Sequence, residues 1–128
     1  KGMNFSFKKM ISEKDVMDFA ELTGDYNPLH CDEDYAKKST IRNRVAHGML
    51  LSSLFSTLLG MHCPGKRNLY LTQTLNFRNP LKLNETVTVH GEILNKTDSL
   101  KILEIKTTIS DQNGKIIVDG IAKVKVLE

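Results

Sequence analysis

Cysteine, proline and tryptophan are scarce in this chain, which has two cysteines, three prolines and no tryptophan. The cysteines, Cys31 and Cys63, form no Cys-x-x-Cys motif, and nothing else in the sequence indicates a disulfide framework. We interpret them as reduced thiols in a cytosol-like compartment, and we therefore predict a cytoplasmic protein.

The chain also lacks a strong excess of charge of either sign. Its 18 basic and 15 acidic residues leave a net charge of +3. That charge is too small to indicate nucleic-acid binding, for which a clustered basic face is typical. We therefore expect no nucleic-acid partner, while a polyanionic small molecule remains compatible with the composition.

Long apolar segments are absent as well. The longest span without Lys, Arg, Asp or Glu runs from Val45 to Gly65, and histidine, serine, glycine and proline interrupt it. Its apolar part is shorter than the roughly 20 residues that a membrane crossing needs. We predict a buried helix there, no membrane association, and one domain spanning residues 1–128.

Helix signals are concentrated in the first half of the chain, after a strand predicted over residues 5–11. Ser12 and Asp15 form a capping box, which predicts a helix that ends near Leu22 before Gly24. Because a proline disfavours helical geometry in the residue before it, we predict a loop rather than a helix from 25 to 30. Asp32 is placed to cap a short helix over 33–38. Residues 48–59 are apolar nearly all round, which predicts a buried central helix, and residues 60–68 are expected to form a loop.

Alternation of apolar and polar residues in the second half predicts strands over residues 69–77, 86–94, 101–110 and 116–127. Turns are expected at 96–99 and at 111–114, where the glycine of Asp111-Gln112-Asn113-Gly114 is typical of a hairpin. Consecutive strands with short connections favour an antiparallel sheet. The sequence therefore predicts an α+β fold in which a curved antiparallel sheet wraps around one central helix.

Three residues could supply chemistry. Asp25 and His30 lie on one short segment stiffened by Pro28, and Gly48 opens the apolar helix. A carboxylate and an imidazole can act as an acid–base pair, and the free N–H groups at a helix start can hold a developing oxyanion. Asp25 alone would usually be a turn residue, so the hypothesis depends on finding both groups in one motif.

The sequence resembles a known family over essentially its whole length. The segment Gly24-Asp25-Tyr26-Asn27-Pro28-Leu29-His30 is similar to the hydratase motif of the MaoC-like hot-dog proteins, the (R)-specific enoyl-CoA hydratases. Further similarity lies in Val45-Ala46-His47-Gly48-Met49-Leu50 and in the strand from Tyr70 to Phe77, followed by Pro80. The resemblance implies a hot-dog fold, with about five strands around the helix.

The resemblance also implies an activity, partners and site residues. The activity is reversible addition of water to a trans-2-enoyl thioester of coenzyme A or acyl carrier protein, at a site between the subunits of a homodimer or a dimer of dimers. The implied catalytic residues are Asp25, His30 and Gly48, and the implied substrate-binding residues are Asn27, Ser56, Leu59 and Tyr70. No cofactor or metal is expected, because a backbone amide would polarise the thioester. The sequence does not assign which of Asp25 and His30 acts on the water and which on Cα.

Other interpretations of the same residues remain open. A hot-dog acyl-CoA thioesterase would need a carboxylate on the central helix, which residues 48–59 lack, and a non-catalytic acyl-CoA-binding protein would not need the Asp25/His30 pair. We interpret His47 as a capping or packing residue and Cys31 as a small buried thiol rather than a nucleophile. His62 and His90 are expected at the surface or in loops. Four cations could meet the phosphates of coenzyme A, although solvated charges are an equal alternative: Lys66, Arg67, Arg78 and Lys82.

Overall fold

The structure is a computed structural model, and it describes residues 2–127. Its elements, in chain order, are β1 (Asn4–Ile11), α1 (Glu13–Thr23), α2 (Pro28–Cys31), α3 (Glu33–Lys37), α4 (Gly48–Thr57), β2 (Asn68–Gln73), β3 (Asn76–Phe77), β4 (Glu85–Thr97), β5 (Ile102–Ser110) and β6 (Ile116–Val126). A π-helical segment, Leu58–His62, continues α4. The α+β class predicted from the sequence is confirmed.

All six strands belong to one antiparallel sheet in the order β1-β4-β5-β6-β2, and the two-residue β3 also pairs with β6. Side chains of β4 alternate between buried and half-exposed positions, because successive residues of a strand point to opposite faces. The buried face of the curved sheet covers α4. β1 and β2 form the two edges.

The central helix α4 is held by its apolar side chains. Leu51 and Phe55 are almost completely buried and pack with residues of β4, β5 and β6 in the main hydrophobic core. The buried hydroxyl of Ser52 donates to the carbonyl of Gly48 over 2.9 Å, so this polar group does not destabilise the core. The predicted helix is therefore confirmed, and its first residue, Gly48, is fixed by the packing of the whole sheet.

Local signals predicted the ends of the short helices correctly. Ser12 and Asp15 make both hydrogen bonds of the capping box, and Gly24 ends α1 with a φ of 81°, which a residue with a Cβ rarely adopts. Asp32 caps α3 by accepting a hydrogen bond from the N–H of Tyr35.

Four predicted boundaries are wrong. The segment 25–30 is not entirely a loop, because Pro28 starts the one-turn helix α2, where a missing N–H costs nothing. The helical run does not end at Leu59 but continues to His62, which leaves a shorter loop than the predicted 60–68. The strand predicted over 69–77 is broken between β2 and β3, and β4 extends into the predicted turn at 96–99.

The break between β2 and β3 is caused by a contact that lies far away in sequence. The carbonyl of Thr74 lies directly against Gly120 of β6, where any side chain would collide with it. Thr74 also exchanges hydrogen bonds with Ile121, through its own N–H over 2.9 Å and its hydroxyl over 2.8 Å. These bonds replace the regular ladder at this position.

Among residues 2–127, no helix combines the length and the apolar character that a membrane crossing would require.

Candidate active site

The candidate site lies where the connection after α1 meets the start of α4. Asp25 follows the left-handed Gly24, and its side chain is exposed to solvent. Asp25 Oδ1 accepts a hydrogen bond from the N–H of Asn27 over 3.2 Å, which closes a tight local turn. The carboxylate is thus presented on a short, structured connection rather than on a long mobile loop.

His30 is carried by α2, whose start is fixed by Asn27. The side chain of Asn27 caps this helix by accepting from the N–H of Leu29 over 3.0 Å. The Nδ1 of His30 lies 2.7 Å from the carbonyl oxygen of Val45. A carbonyl only accepts, so Nδ1 carries the proton, and Nε2 of the neutral ring is left with a free lone pair.

His47 completes a cluster that the sequence did not predict. One carboxylate oxygen of Asp25 and one ring nitrogen each of His30 and His47 lie within 4.8 Å of one another. The ring centroids of the two histidines are 4.0 Å apart. The structure therefore brings the Asp25 and His30 side chains together, with a second imidazole beside them.

The separations in this cluster, all within 4.8 Å, leave room for a water molecule. A water that makes two hydrogen bonds of about 2.8 Å spans a gap of about 4.5 Å between its partners. The ligand atoms of a tetrahedral zinc ion lie about 3.3 Å apart, which is within the same limit. Two imidazoles and a carboxylate are also of a suitable type for a metal, so the cluster fits either guest in residue type and separation.

His47 is almost fully buried, with 3% of its surface exposed. Its Nε2 lies 3.1 Å from the main-chain carbonyl of Asp25, and its ring packs against Phe19 with centroids 4.8 Å apart. Burial lowers the pKa of His47 below its usual value, the hydrogen bond to the Asp25 carbonyl opposes this less strongly, and the neighbouring His30 adds a further, smaller lowering. The ring is therefore neutral at physiological pH.

Of the two alternatives predicted for His47, capping or packing, the structure supports packing: the ring is buried against Phe19 and His30, and the side chain makes no capping hydrogen bond to α4. The position of His47 directly before Gly48 was the one feature of the sequence that pointed to a role at the site. Its contact with Asp25 spans 22 residues and depends on tertiary structure, so the sequence did not predict it.

Gly48 is the first residue of α4, so its N–H has no acceptor within the helix. A Cβ at this position would lie 2.7 Å from the ring atoms Cδ1 and Cε1 of Phe77, so a larger residue would require the Phe77 ring to move. A cavity of about 410 Å³ opens beside Gly48 and Phe77, between the start of α4 and the segment 77–81. The cavity does not include Asp25 or His30 in its lining.

The predicted substrate-binding residues are spread along the fold. Asn27 lies within the catalytic segment, while Ser56 is exposed on α4, eight residues or roughly 12 Å along the helix from Gly48. Leu59 is fully buried in a second core cluster, and the half-buried Tyr70 packs against that cluster. In this single chain, neither Leu59 nor Tyr70 reaches the Asp25/His30 cluster.

The hydroxyl of Tyr70 makes a very short hydrogen bond to the side-chain oxygen of Gln73. Burial raises the pKa of Tyr70 to about 12, because the phenolate would lose much of its hydration. Tyr70 therefore stays protonated under physiological conditions and acts as a hydrogen-bond donor.

The remaining sequence candidates lie outside the cluster. His62 is in the π-helical segment and stacks on Phe7 with centroids 4.7 Å apart, and His90 lies within β4 rather than in a loop. Cys31 is half-buried, and Arg78 pairs with Asp119 over 3.2 Å. The contacts of His62 and Arg78 and the position of His90 place these three away from the cluster, and Cys31, although it follows His30 in α2, is not a member of it.

The chain is similar to several known proteins over nearly its whole length. Residues 1–114 match the family profile described as MaoC like domain. The chain is 38% identical to a 3-hydroxybutyryl-CoA dehydratase of Methylorubrum extorquens, covering 98% of this chain and 79% of that protein. It is 37% identical to an (R)-specific enoyl-CoA hydratase of Rhodospirillum rubrum, covering 98% and 86% of the two chains. The structure matches that of an (R)-hydratase of Aeromonas caviae involved in PHA biosynthesis, with a TM-score of 0.95, 38% identity, and coverage of 98% and 95%.

Proposed function

The chain belongs to the MaoC-like family of hot-dog proteins, and on that premise we propose that it catalyses the (R)-specific, reversible addition of water to trans-2-enoyl thioesters. It is a lyase that forms an (R)-3-hydroxyacyl thioester in one direction and dehydrates it in the other. Hydratase and dehydratase, the activities named for the two curated relatives, are these two directions. The observation that carries the proposal is the grouping of the Asp25 carboxylate and the His30 imidazole within 4.8 Å of each other.

Water would be activated between the two side chains. The Nε2 lone pair of His30, set by the Nδ1 hydrogen bond to Val45, accepts a proton as the water oxygen bonds to Cβ. The Asp25 carboxylate accepts a hydrogen bond from the second water hydrogen, which stays on the oxygen, and so orients the attack. The protonated His30 then gives its proton to Cα, so one water hydrogen ends on the new hydroxyl, the other ends on Cα, and the pair returns to its starting charge state.

The thioester oxygen gains negative charge while Cα is enolate-like. The N–H of Gly48 lies at the positive end of the α4 dipole and is free to donate to that oxygen. A preorganised donor of this kind typically contributes about 2.7–4 kcal/mol to transition-state stabilisation. His47 lies in the cluster with Asp25 and His30, and Gly48 is the next residue in the chain. The Gly48 N–H is therefore held close to the acid–base pair.

Substrate binding is proposed for the four further residues. Asn27 would hold the catalytic segment, as its cap on α2 supports. Ser56, Leu59 and Tyr70 would line the acyl pocket, with Ser56 exposed on α4 and the other two forming an apolar wall. The thioester carrier is coenzyme A or acyl carrier protein.

A second copy of the chain is the proposed partner, giving a homodimer or a dimer of dimers. β2 pairs with β6 on one side only, and this edge strand exposes about half of the side-chain surface of Leu69 and Leu71. An unpaired apolar edge strand readily pairs with another chain. Light scattering should give twice the chain mass for a homodimer or four times that mass for a dimer of dimers, and a Leu69→Lys, Leu71→Lys variant should have a lower mass. The two free cysteines support the further proposal of a reducing, cytoplasmic location.

The test of the function is an activity panel on purified protein. Crotonyl-CoA should lose its enoyl ultraviolet absorbance, and chiral analysis should find the (R)-3-hydroxy product. A thiol reagent should detect no coenzyme A, whereas a thioesterase would release it. Matched enoyl thioesters of rising length on both carriers would then define the substrate. Tight binding without turnover, or release of thiol, would disprove hydratase activity.

A further inference from the structure

Residues 25–27 are held mostly by hydrogen bonds to their neighbours in sequence, including those that Asn27 accepts from Leu29, His30 and Cys31 at the start of α2. The N–H of Asp25 bonds to Thr23, and the N–H of Asn27 bonds back to Asp25, both over 3.2 Å. These bonds are local and do not locate the segment relative to the rest of the protein. The side chains of Asp25 and Asn27 are exposed, so packing restrains them little.

The hydrogen bond from His47 is different in kind. Within residues 2–127, it is the one bond that joins residues 25–27 to a part of the chain far away in sequence. Its acceptor is the main-chain carbonyl of Asp25, so it fixes the backbone from which the carboxylate projects. His47 is itself immobilised, because its ring is buried between Phe19 and His30.

The same residue connects all three groups of the candidate site. It bonds to Asp25, packs its ring on His30 at 4.0 Å, and immediately precedes Gly48 in the chain. A shift of His47 would thus change the distances from Asp25 to the other two groups together. His30 is less dependent on it, because Val45 and Arg44 also hold His30.

From these contacts we propose that His47 is a positioning residue, whose Nε2–H and buried ring hold Asp25 at the correct distance from His30 and from the Gly48 amide. The inference rests on the proposed hydratase function of the same site. It assigns His47 no contact with substrate. The ring acts as a fixed spacer with a single donor, in the neutral tautomer that carries its proton on Nε2.

Neutrality is part of this role. The acceptor at Nε2 is a carbonyl, so the proton stays on that nitrogen, and Nδ1 is buried without a partner. A positive charge on His47 would have no compensating hydrogen bond at Nδ1 and would face the ring of His30. Burial of the ring therefore leaves His30 as the imidazole able to take a proton.

Two substitutions separate positioning from simple packing. Glutamine can place its amide N–H where Nε2 lies, so His47→Gln retains the donor to Asp25. Methionine fills a similar volume without a donor, so His47→Met retains packing alone. Displacement of a catalytic group by about 1 Å can reduce the rate 10²-fold. We expect about a 10²-fold loss of kcat in His47→Met with KM changed less than about threefold, and recovery to within about tenfold of the original kcat in His47→Gln.

A histidine on the far face of the sheet provides the matched control. His90 lies in β4 between the core-facing residues Val89 and Gly91, so His90→Met makes the same chemical change away from the site. This variant should retain the original kcat and KM. Equal kcat values for His47→Met and His47→Gln, or a His47→Met variant as fast as the unchanged protein, would overturn the proposal.

A second readout does not depend on activity. Nitrogen NMR of the imidazole should show a proton on Nε2 and none on Nδ1 of His47, and the amides of residues 25–27 should become more mobile in His47→Met but not in His47→Gln. If the unchanged protein hydrates no enoyl thioester, the proposed function fails, while these spectra still decide the positioning role. If hydration is normal and both spectra and rates are unaffected by His47→Met, only the positioning role fails.

Discussion

The Nε–H of Arg44 donates a 2.8 Å hydrogen bond to the main-chain carbonyl of His30. The Arg44 side chain is only 10% exposed, and its guanidinium also reaches Glu13 over 3.1 Å. Arg44 thus holds the backbone of His30 in the same way that His47 holds that of Asp25.

Replacement of Arg44 should weaken both stability and catalysis. In Arg44→Met the His30 carbonyl loses its donor, and we expect the free energy of unfolding to fall by about 1–3 kcal/mol. kcat should fall as well, because α2 is less firmly held. Urea denaturation and hydration kinetics measure the two effects. Glu13→Gln is the control: Glu13 is 63% exposed, so its loss should change stability by less than about 1 kcal/mol. An equal loss in both variants would assign the effect to the ion pair instead.

Removal of either member of the acid–base pair should abolish hydration and spare the fold. In Asp25→Ala and His30→Ala we expect kcat to fall by about 10²–10⁴, the usual contribution of general acid–base catalysis. The melting temperature should change little in Asp25→Ala, because that side chain is exposed. Enoyl absorbance and thermal melting are the measurements. Full activity in both folded variants would contradict the assignment.

An added methyl group at Gly48 should affect activity more than folding. The new Cβ would meet the ring of Phe77, but that residue is 55% exposed and can turn towards solvent. We expect Gly48→Ala to remain folded while kcat/KM falls about 10²-fold, because the methyl group and the displaced ring enter the space next to the amide. A double variant that combines Gly48→Ala with Phe77→Ala removes the ring that the new methyl group meets, so it should recover any stability that Gly48→Ala loses. Recovery of full activity in the double variant would show that the ring, and not the methyl group, causes the loss.

Tyr70 should control part of the stability of the protein at high pH. Its pKa is raised from 10 to about 12 in the folded chain, so between these values the unfolded chain releases a proton that the folded chain retains. Stability is therefore unaffected below pH 10 and falls as the pH rises towards 12. Subtracting the phenolate absorbance of Tyr70→Phe from that of the unchanged protein isolates the titration of Tyr70. This difference should rise near pH 12. A rise near pH 10 would show that Tyr70 is well hydrated.

Predictions from the sequence succeeded where a few neighbouring residues determine the structure. The Ser12 capping box, the turn at Gly24 and the cap at Asp32 each depend on groups three or four residues apart. The apolar run that begins at Gly48 predicted the central helix because most of its side chains are apolar, although the structure leaves Met49, Ser53 and Ser56 exposed. The resemblance placed Asp25 and His30 in one motif, and the structure brings their side chains together.

Features that depend on distant contacts were not predicted. The contact of His47 with Asp25 joins residues 22 positions apart, and the strand break at Thr74 depends on Gly120. The one-turn helix α2 was missed because the rule for the residue before proline was extended to the residues after it. Local patterns contain no information on which remote backbone groups will meet, so such features become visible only in the folded chain.

The exposed turn that carries Asp25 also makes this protein a practical starting point for laboratory evolution. The side chains of residues 25–28 have little packing to lose, so libraries at these positions should consist mainly of folded, expressible variants. Screens there would sample altered chemistry directly, whereas diversity introduced inside the sheet would mostly be lost to misfolding. The catalytic repertoire of this scaffold can therefore be searched almost independently of its thermal robustness.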